Sequence, residues 1–205
     1  NNNSEDPSRL EGYLFPDTYE FYKNHNAKNA LGKLIDAFAD HIDEDAFASS
    51  KAKSMGYSMK DVVIIASLIE KETDGTDQRD IASVIYNRLN IGMPLQLDST
   101  VVYAIRETGE TTMSTELIQA TDSPYNTYLY QGLPPGPICN PGYASLYAAS
   151  HPESHDYYYY VAMPDGSHLF ASSYEEHQRN IATSNAAQAQ AASENTDQST
   201  EVSGE

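Results

Sequence analysis

The stretch Ser58-Met59-Lys60-Asp61-Val62-Val63-Ile64-Ile65-Ala66-Ser67-Leu68-Ile69-Glu70-Lys71-Glu72-Thr73 decides the fold. Its central residues are apolar on nearly every side of a helix, which predicts a helix over about 59–73 that is buried in a core. Ser58 and Asp61 have the spacing of a capping pair at its start, and Thr73-Asp74-Gly75-Thr76 ends it. The domain is therefore expected to be built around this helix.

Glu70 lies in the last turn of the predicted helix. Partial desolvation, the negative end of the helix dipole and the nearby acids Glu72 and Asp74 would each raise its pKa. A raised pKa is what a general acid working near neutral pH needs, so Glu70 is a candidate catalytic residue. The alternative is an ordinary helix-terminal acid that pairs with Lys71 or Arg79.

Composition limits the class of protein. The chain has 205 residues, of which 40% are hydrophobic, enough for the core of one ordinary domain. The formal net charge of -18, from 30 acids and 12 bases, argues against a nucleic-acid partner and against docking on anionic lipid. A single cysteine, Cys139, allows no intramolecular disulfide, and no apolar run reaches membrane-spanning length.

Periodicity and turn residues predict the other elements. We expect a disordered start at 1–9, one domain over 10–190 and an acidic low-complexity tail at 191–205. Within the domain, the predicted elements are a loop and short strand over 10–21, helices over 27–48, 77–90, 100–107 and 141–151, an ordered loop over 108–139, a hairpin over 157–171 and a last helix from Ser173. This order predicts an α+β fold, mostly helical, with a small antiparallel sheet and a substrate cleft at the end of the Glu70 helix.

No metal or nucleophile motif accompanies these elements. The six histidines lack ligand spacing, so no metal or other cofactor is expected, and no phosphate-binding glycine loop occurs. The chain has 16 tyrosines and no tryptophan, and several, including Tyr125 and Tyr128, fall in predicted loops. A tyrosine offers a flat apolar face and a hydroxyl, which suits a sugar ring, although packing in the core is the alternative role.

Six segments in one order carry a resemblance to a known family. They are 10–19 (LEGYLFPDTY), 65–73 (IASLIEKET), 84–89 (VIYNRL), 95–101 (LQLDSTV), 123–128 (SPYNTY) and 132–138 (GLPPGPI), and the Pro141-Gly142 helix start and the 158–170 hairpin match as well. Together they resemble the YceG-like family of endolytic murein transglycosylases over about residues 10–181. Members usually carry a membrane span and a small LysM-like subdomain before the catalytic domain, and we expect both to lie outside this sequence.

The resemblance implies a reaction and a site. The reaction is cleavage of peptidoglycan between N-acetylmuramic acid and N-acetylglucosamine, which leaves a 1,6-anhydro-muramyl end. The family's catalytic glutamate falls on Glu70, which would act first as general acid and then as general base. The expected substrate-binding residues are Glu11, Glu72, Gln96, Asp98, Tyr125, Asn126 and Tyr128. Some have simpler roles open to them: Asp98 as a helix cap, Glu11 as a surface acid, and Glu72 as a group that tunes Glu70.

Two other functions remain open at this point. A muramidase-type hydrolase would use Asp98 or Glu72 as a second carboxylate to activate water. A non-enzymatic peptidoglycan-binding or scaffold module would need no catalytic acid. The expected partners are peptidoglycan strands and peptidoglycan synthases. The resemblance also implies an extracytoplasmic location, with the full-length protein anchored in the cell membrane.

Overall fold

The computed structural model describes residues 7–24, 26–42, 47–73, 75–106 and 114–201. A short 3-10 helix spans Pro7–Leu10. The α-helices are α1 Ala27–His41, α2 Lys51–Ser54, α3 Met59–Glu72, α4 Gln78–Asn90, α5 Asp98–Ile105, α6 Thr115–Ala120, α7 Tyr143–Ser150 and α8 Tyr174–Glu201. The strands are β1 Tyr159–Ala162 and β2 His168–Ala171.

Helix α3 forms the centre of the core, as its sequence predicts. Every residue from Val62 to Ile69 is buried, and the helix packs against α4, α5 and α7. Its start carries the predicted capping box. The Ser58 N–H donates to Asp61 Oδ2 (2.8 Å), and the Asp61 N–H donates to Ser58 Oγ (3.2 Å).

The hairpin and the last helix form a second layer. β1 and β2 pair antiparallel, with Tyr160 opposite Phe170 and Ala162 opposite His168. Helix α8 binds this hairpin through side chains, since Ser184 Oγ donates to the Ala162 carbonyl (2.6 Å) and Asn180 Nδ2 donates to the Phe170 carbonyl (3.0 Å). The predicted α+β class, mostly helical with a small antiparallel sheet, is confirmed.

The prediction of a strand within 10–21 is wrong. The backbone of this segment is bound by a side chain instead of by a neighbouring strand. Asn140 Oδ1 accepts from the backbone N–H groups of Gly12 (2.8 Å) and Leu14 (3.1 Å). Gly12 has a φ of +88°, and a Cβ there would lie 2.5 Å from Cγ of Pro137. This segment is therefore an irregular strap fixed to the loop that precedes α7.

Other boundaries differ from the predictions in part. α1 ends at His41, α5 begins two residues early at Asp98, and α6 interrupts the loop predicted over 108–139. α8 continues to Glu201, past the predicted domain end at residue 190. Of the expected disordered residues, 1–6 lie outside the described part of the chain. No helix in the described ranges has both the length and the hydropathy needed to span a membrane.

Candidate active site

Glu70 and Glu72 leave the end of α3 in different directions. Residues two apart on a helix are separated by about 200° around its axis, so they do not share a face. Glu70 contacts α7, whereas Glu72 contacts α5 and β1. The two carboxylates therefore belong to different environments.

Glu70 contacts the first turn of α7. Its Oε2 accepts from the Gly142 N–H (3.1 Å) and from Ser145 Oγ (2.7 Å). Gly142 is the N-cap residue of α7 and has no side chain to cap it, so the Glu70 carboxylate fills that role. Glu70 is exposed, and it faces the positive end of the α7 dipole. The Glu70 side chain is thus engaged with the α7 N-terminus rather than enclosed at the end of α3.

Glu72 is held by two hydroxyl donors. Ser99 Oγ donates to Oε1 (2.7 Å), and the Tyr160 hydroxyl donates to Oε2 (2.8 Å). Burial and the adjacent Glu72 carboxylate raise the pKa of Tyr160 well above its ordinary value, so this hydroxyl keeps its proton. The Glu72 carboxylate is thereby fixed in one orientation, half-buried at the edge of a cleft.

The cleft has a volume of about 310 Å³, in the lower part of the range typical of ligand pockets. It brings together parts of the chain that are far apart in sequence. Its walls are Glu72, Arg88, Leu95, Gln96, Leu97, Asp98, Tyr128, Tyr159, Tyr160, Tyr174 and His177. This mixture of hydroxyls, carboxylates, an amide and aromatic rings suits an uncharged, hydroxyl-rich ligand such as a sugar.

Gln96 and Asp98 lie on the loop that opens α5. Gln96 has a φ of 52°, a left-handed conformation that no other described non-glycine residue adopts. Backbone bonds hold it there, since the Gln96 N–H donates to the Thr127 carbonyl (3.1 Å) and the Leu97 N–H donates to Thr127 Oγ1 (3.0 Å). Strained positions of this kind are concentrated at functional sites. The exposed Gln96 side chain borders the cleft.

Tyr128 and Asp98 form a hydrogen-bonded pair in the same cleft. The Tyr128 hydroxyl donates to Asp98 Oδ1 (2.5 Å). Burial and this hydrogen bond raise the pKa of Tyr128, so the phenol keeps its proton near neutral pH. Asp98 is the first residue of α5 and makes no side-chain cap there, which leaves its carboxylate available to the cleft.

The other predicted residues lie outside the cleft. Asn126 is fully buried, and its amide donates to the carbonyls of Ile118 (2.8 Å) and Thr121 (2.9 Å), so it is structural. Glu11 accepts a hydrogen bond from the Tyr103 hydroxyl (2.6 Å), and Tyr125 packs on the Tyr103 ring at 4.8 Å between centroids. Glu11 and Tyr125 therefore belong to a neighbouring cluster around Tyr103.

Five polar or aromatic residues of the cleft were not predicted: Arg88, Tyr159, Tyr160, Tyr174 and His177. The sequence contained a signal that Arg88 is buried, because it falls seven residues after Ile81 and so lies on the same buried face of α4. Its Nε donates to the Tyr158 carbonyl and its Nη1 to the Leu95 carbonyl, both at 2.6 Å, so it ties β1 to the cleft loop. Burial lowers the pKa of Arg88, although a guanidinium stays charged under ordinary conditions.

Potential metal ligands and the single cysteine were also located in the described part of the chain. Among the described residues, no group of three or more His, Cys, Asp or Glu side chains is placed to hold a metal ion. Burial raises the pKa of Cys139 to about 11, which keeps the thiol protonated and unreactive.

Comparison with known proteins identifies the family of this chain. The model of the YceG-like family matches residues 1–183. An endolytic murein transglycosylase of Bacillus subtilis is 41% identical over 172 residues, which are 83% of this chain and 46% of that protein. One of Streptococcus pneumoniae is 35% identical over 179 residues, which are 85% of this chain and 32% of that protein. The chain thus spans less than half the length of these curated relatives.

A solved structure has the same fold. The crystal structure of a YceG-like protein of Listeria monocytogenes superposes with a TM-score of 0.73 at 39% identity. The match covers 83% of this chain and 55% of that one.

Proposed function

The chain belongs to the YceG-like family, and from that premise we propose that it is the catalytic domain of a peptidoglycan lytic transglycosylase. Its curated relatives are named endolytic murein transglycosylases. The reaction breaks the bond between N-acetylmuramic acid and N-acetylglucosamine within a strand. We assign the role of general acid and base to Glu72, in place of the expected Glu70.

The observation that carries this assignment is the position of Glu72 in the cleft. It is a carboxylate held by two hydroxyls among residues suited to a sugar, whereas Glu70 caps α7. A side chain that acts on a glycosidic oxygen must be within hydrogen-bond reach of it. Glu72 meets that requirement for a ligand bound in this cleft.

The proposed reaction needs one carboxyl group. In its acid form, Glu72 gives a proton to the glycosidic oxygen as the bond from that oxygen to the muramyl C1 breaks. The muramyl 6-hydroxyl oxygen then bonds to C1, and its proton passes to the Glu72 carboxylate. Water is not consumed, and Glu72 ends in its starting form.

Asp98 supports a second candidate function. It is the other carboxylate among the described residues that line this cleft, and a hydrolase needs two. A water molecule activated by Asp98 would attack C1 and leave a reducing end. The products therefore distinguish the two functions.

The test is a digest of purified peptidoglycan, with products identified by mass spectrometry. We expect anhydro ends from the wild type and a loss of rate of about a hundredfold or more in Glu72→Gln. Glu70→Gln is the matched control, because it removes a charge from the same helix turn outside the cleft and should keep most of the rate. An inactive Glu70→Gln beside an active Glu72→Gln would restore the original assignment to Glu70. Reducing ends that disappear in Asp98→Asn would establish a hydrolase, and a wild type that binds strands without cutting them would indicate a binding module.

The location and partners follow from the substrate. Peptidoglycan lies outside the cytoplasmic membrane, so we place the activity there, with the full-length protein anchored in that membrane. Peptidoglycan synthases, which produce the strands, are the proposed protein partners. Fractionation of cells and co-purification with the full-length protein test both points.

A further inference from the structure

His177 forms part of the wall of the cleft that α8 supplies. It lies in the first turns of α8 and lines the same cleft as Glu72. Its ring stacks on Tyr159, with centroids 5.1 Å apart and planes inclined by 22°. Tyr174, three residues earlier on the same helix, also lines the cleft and is 59% exposed.

This histidine has an unsatisfied nitrogen. Nδ1 is buried, and it has no hydrogen-bond partner among the described residues. A buried polar atom without a partner destabilises the folded protein. A phenylalanine would stack on Tyr159 equally well without this penalty, so packing alone does not account for an imidazole at this position.

The surroundings also fix the form of the ring. Burial and the nearby Arg88 cation lower the pKa of His177, so the imidazole is neutral near neutral pH. A neutral imidazole carries one N–H. Nδ1 is enclosed and meets no hydrogen-bond acceptor, so the ring proton is better placed on Nε2. From there the N–H can donate a hydrogen bond to an acceptor in the cleft.

We propose that His177 is a specificity residue of the cleft, whose Nε2–H donates to the carbonyl oxygen of an N-acetyl group on the bound strand. An acetamido group combines a strong neutral acceptor with a methyl group. The wall formed by His177, Tyr159 and Tyr174 matches both parts of this group. The imidazole N–H is a donor for the carbonyl oxygen, and the aromatic rings around it offer apolar surface to the methyl group. This inference rests on the proposed function, because it takes an amino-sugar strand as the ligand.

The experiment compares His177→Phe with the wild type on two soluble glycan strands, one N-acetylated and one with its amino groups free. On the acetylated strand we expect kcat/KM of His177→Phe to fall about tenfold or more, as a site built for a hydrogen bond requires. On the free-amine strand the two proteins should differ little, because the acceptor is absent. The melting temperature of His177→Phe should equal or exceed that of the wild type, since the unsatisfied nitrogen is gone.

Two further variants sharpen the comparison. His177→Gln keeps a neutral donor and should recover part of the lost kcat/KM, while Gln178→Ala, an exposed neighbour on α8, should behave as wild type. An unchanged kcat/KM in His177→Phe would overturn the proposal. So would an equal loss on both strands, or a loss that accompanies a lower melting temperature.

Binding separates this proposal from the function on which it rests. Calorimetry with Glu72→Gln measures strand binding without cleavage. If the wild type does not cut strands but binding still depends on His177 and on the acetyl group, the proposed reaction fails and the His177 proposal stands. Binding that is indifferent to both would overturn the His177 proposal, whatever the reaction proves to be.

Discussion

At the scale of single residues, the Tyr160 hydroxyl is the group that most directly fixes Glu72. It donates to Oε2 at 2.8 Å, and its raised pKa keeps it a donor over the working pH range. Its ring packs beside His168, with centroids 5.5 Å apart, and would remain in place without the hydroxyl. Removing the oxygen therefore isolates the hydrogen bond from the packing.

We expect Tyr160→Phe to lower kcat by about ten- to a hundredfold, because a hydrogen bond to a charged group contributes about 1.5–3 kcal/mol. Steady-state cleavage of soluble strands measures the rate, and circular dichroism checks that the fold is kept. Tyr158→Phe is the control, as it changes the same strand region without touching Glu72. A full rate in Tyr160→Phe would mean that Glu72 needs no such orientation.

The sequence indicated the pair of glutamates but not the choice between them. Its pattern located the buried helix and its last turn, which is local information. Which side of that turn meets α7 and which meets β1 depends on segments about 70 to 90 positions later in the chain. Position within the helix favoured Glu70, and only the tertiary contacts distinguish its capping role from the cleft position of Glu72.

At the scale of elements, the β1–β2 hairpin is tied to the loop that follows α3. His168 Nδ1 lies 2.8 Å from Asp77 Oδ2, and the two side chains are 5% and 15% exposed. The Thr73 hydroxyl also donates to Asp77 Oδ1 (3.3 Å). These contacts hold β2, and through it the paired strand that carries Tyr160, against the end of α3.

We expect His168→Phe to destabilise the protein by about 1–3 kcal/mol, since it leaves the Asp77 carboxylate without this partner. Hydrogen exchange should become faster in β1 and β2, and kcat should fall while KM changes little. Asp77→Asn can still hydrogen-bond the imidazole, so it should show the smaller effect in both measurements. Equal protection of the hairpin in His168→Phe would show that the pair does not hold it.

Helix α8 gives the protein a specific response to acid. The His177 pKa is lowered from its ordinary 6.5, so the unfolded chain binds a proton below that pH while the folded chain resists it. The contribution of His177 to the free energy of unfolding is thus fully present above pH 6.5 and is lost as the pH falls toward the pKa of the folded state. We expect His177→Phe to lose less stability than the wild type between pH 7 and pH 5, as urea unfolding at each pH would measure. Parallel curves for the two proteins would contradict this.

Elements that depend on residues close in sequence could be predicted, whereas elements held by residues far along the chain could not. The capping box of α3 and the hairpin over 157–171 depend on residues that are close in sequence, and both predictions are confirmed. The short strand predicted within 10–21 does not form, because Asn140, 128 positions later in the chain, binds the backbone of Gly12. The α8 wall of the cleft was missed for the same reason, since nothing near His177 in sequence indicates Glu72.

At the scale of the whole molecule, the net charge of -18 suits a neutral ligand better than an anionic one. Within the cleft, the charged groups are Glu72, Asp98 and a buried Arg88 that backbone carbonyls already engage. Most of the net charge therefore comes from residues outside the cleft. Binding in the cleft depends on hydroxyls, amides and rings.

The extent of the working domain can be tested by truncation within α8. Ser184 is 1% exposed and anchors the helix to β1, whereas no residue from 185 to 193 is buried. Deleting residues 191–205 should change the free energy of unfolding by about 0.5 kcal/mol or less, because the buried residue that anchors α8, Ser184, is retained. Cleavage should be unchanged.

Deleting residues 174–205 removes the Ser184 anchor together with Tyr174 and His177, so it should expose the hairpin and abolish cleavage. Chemical denaturation and the peptidoglycan digest measure both truncations, and a loss of activity in the shorter deletion would show that the end of α8 is part of the catalytic unit.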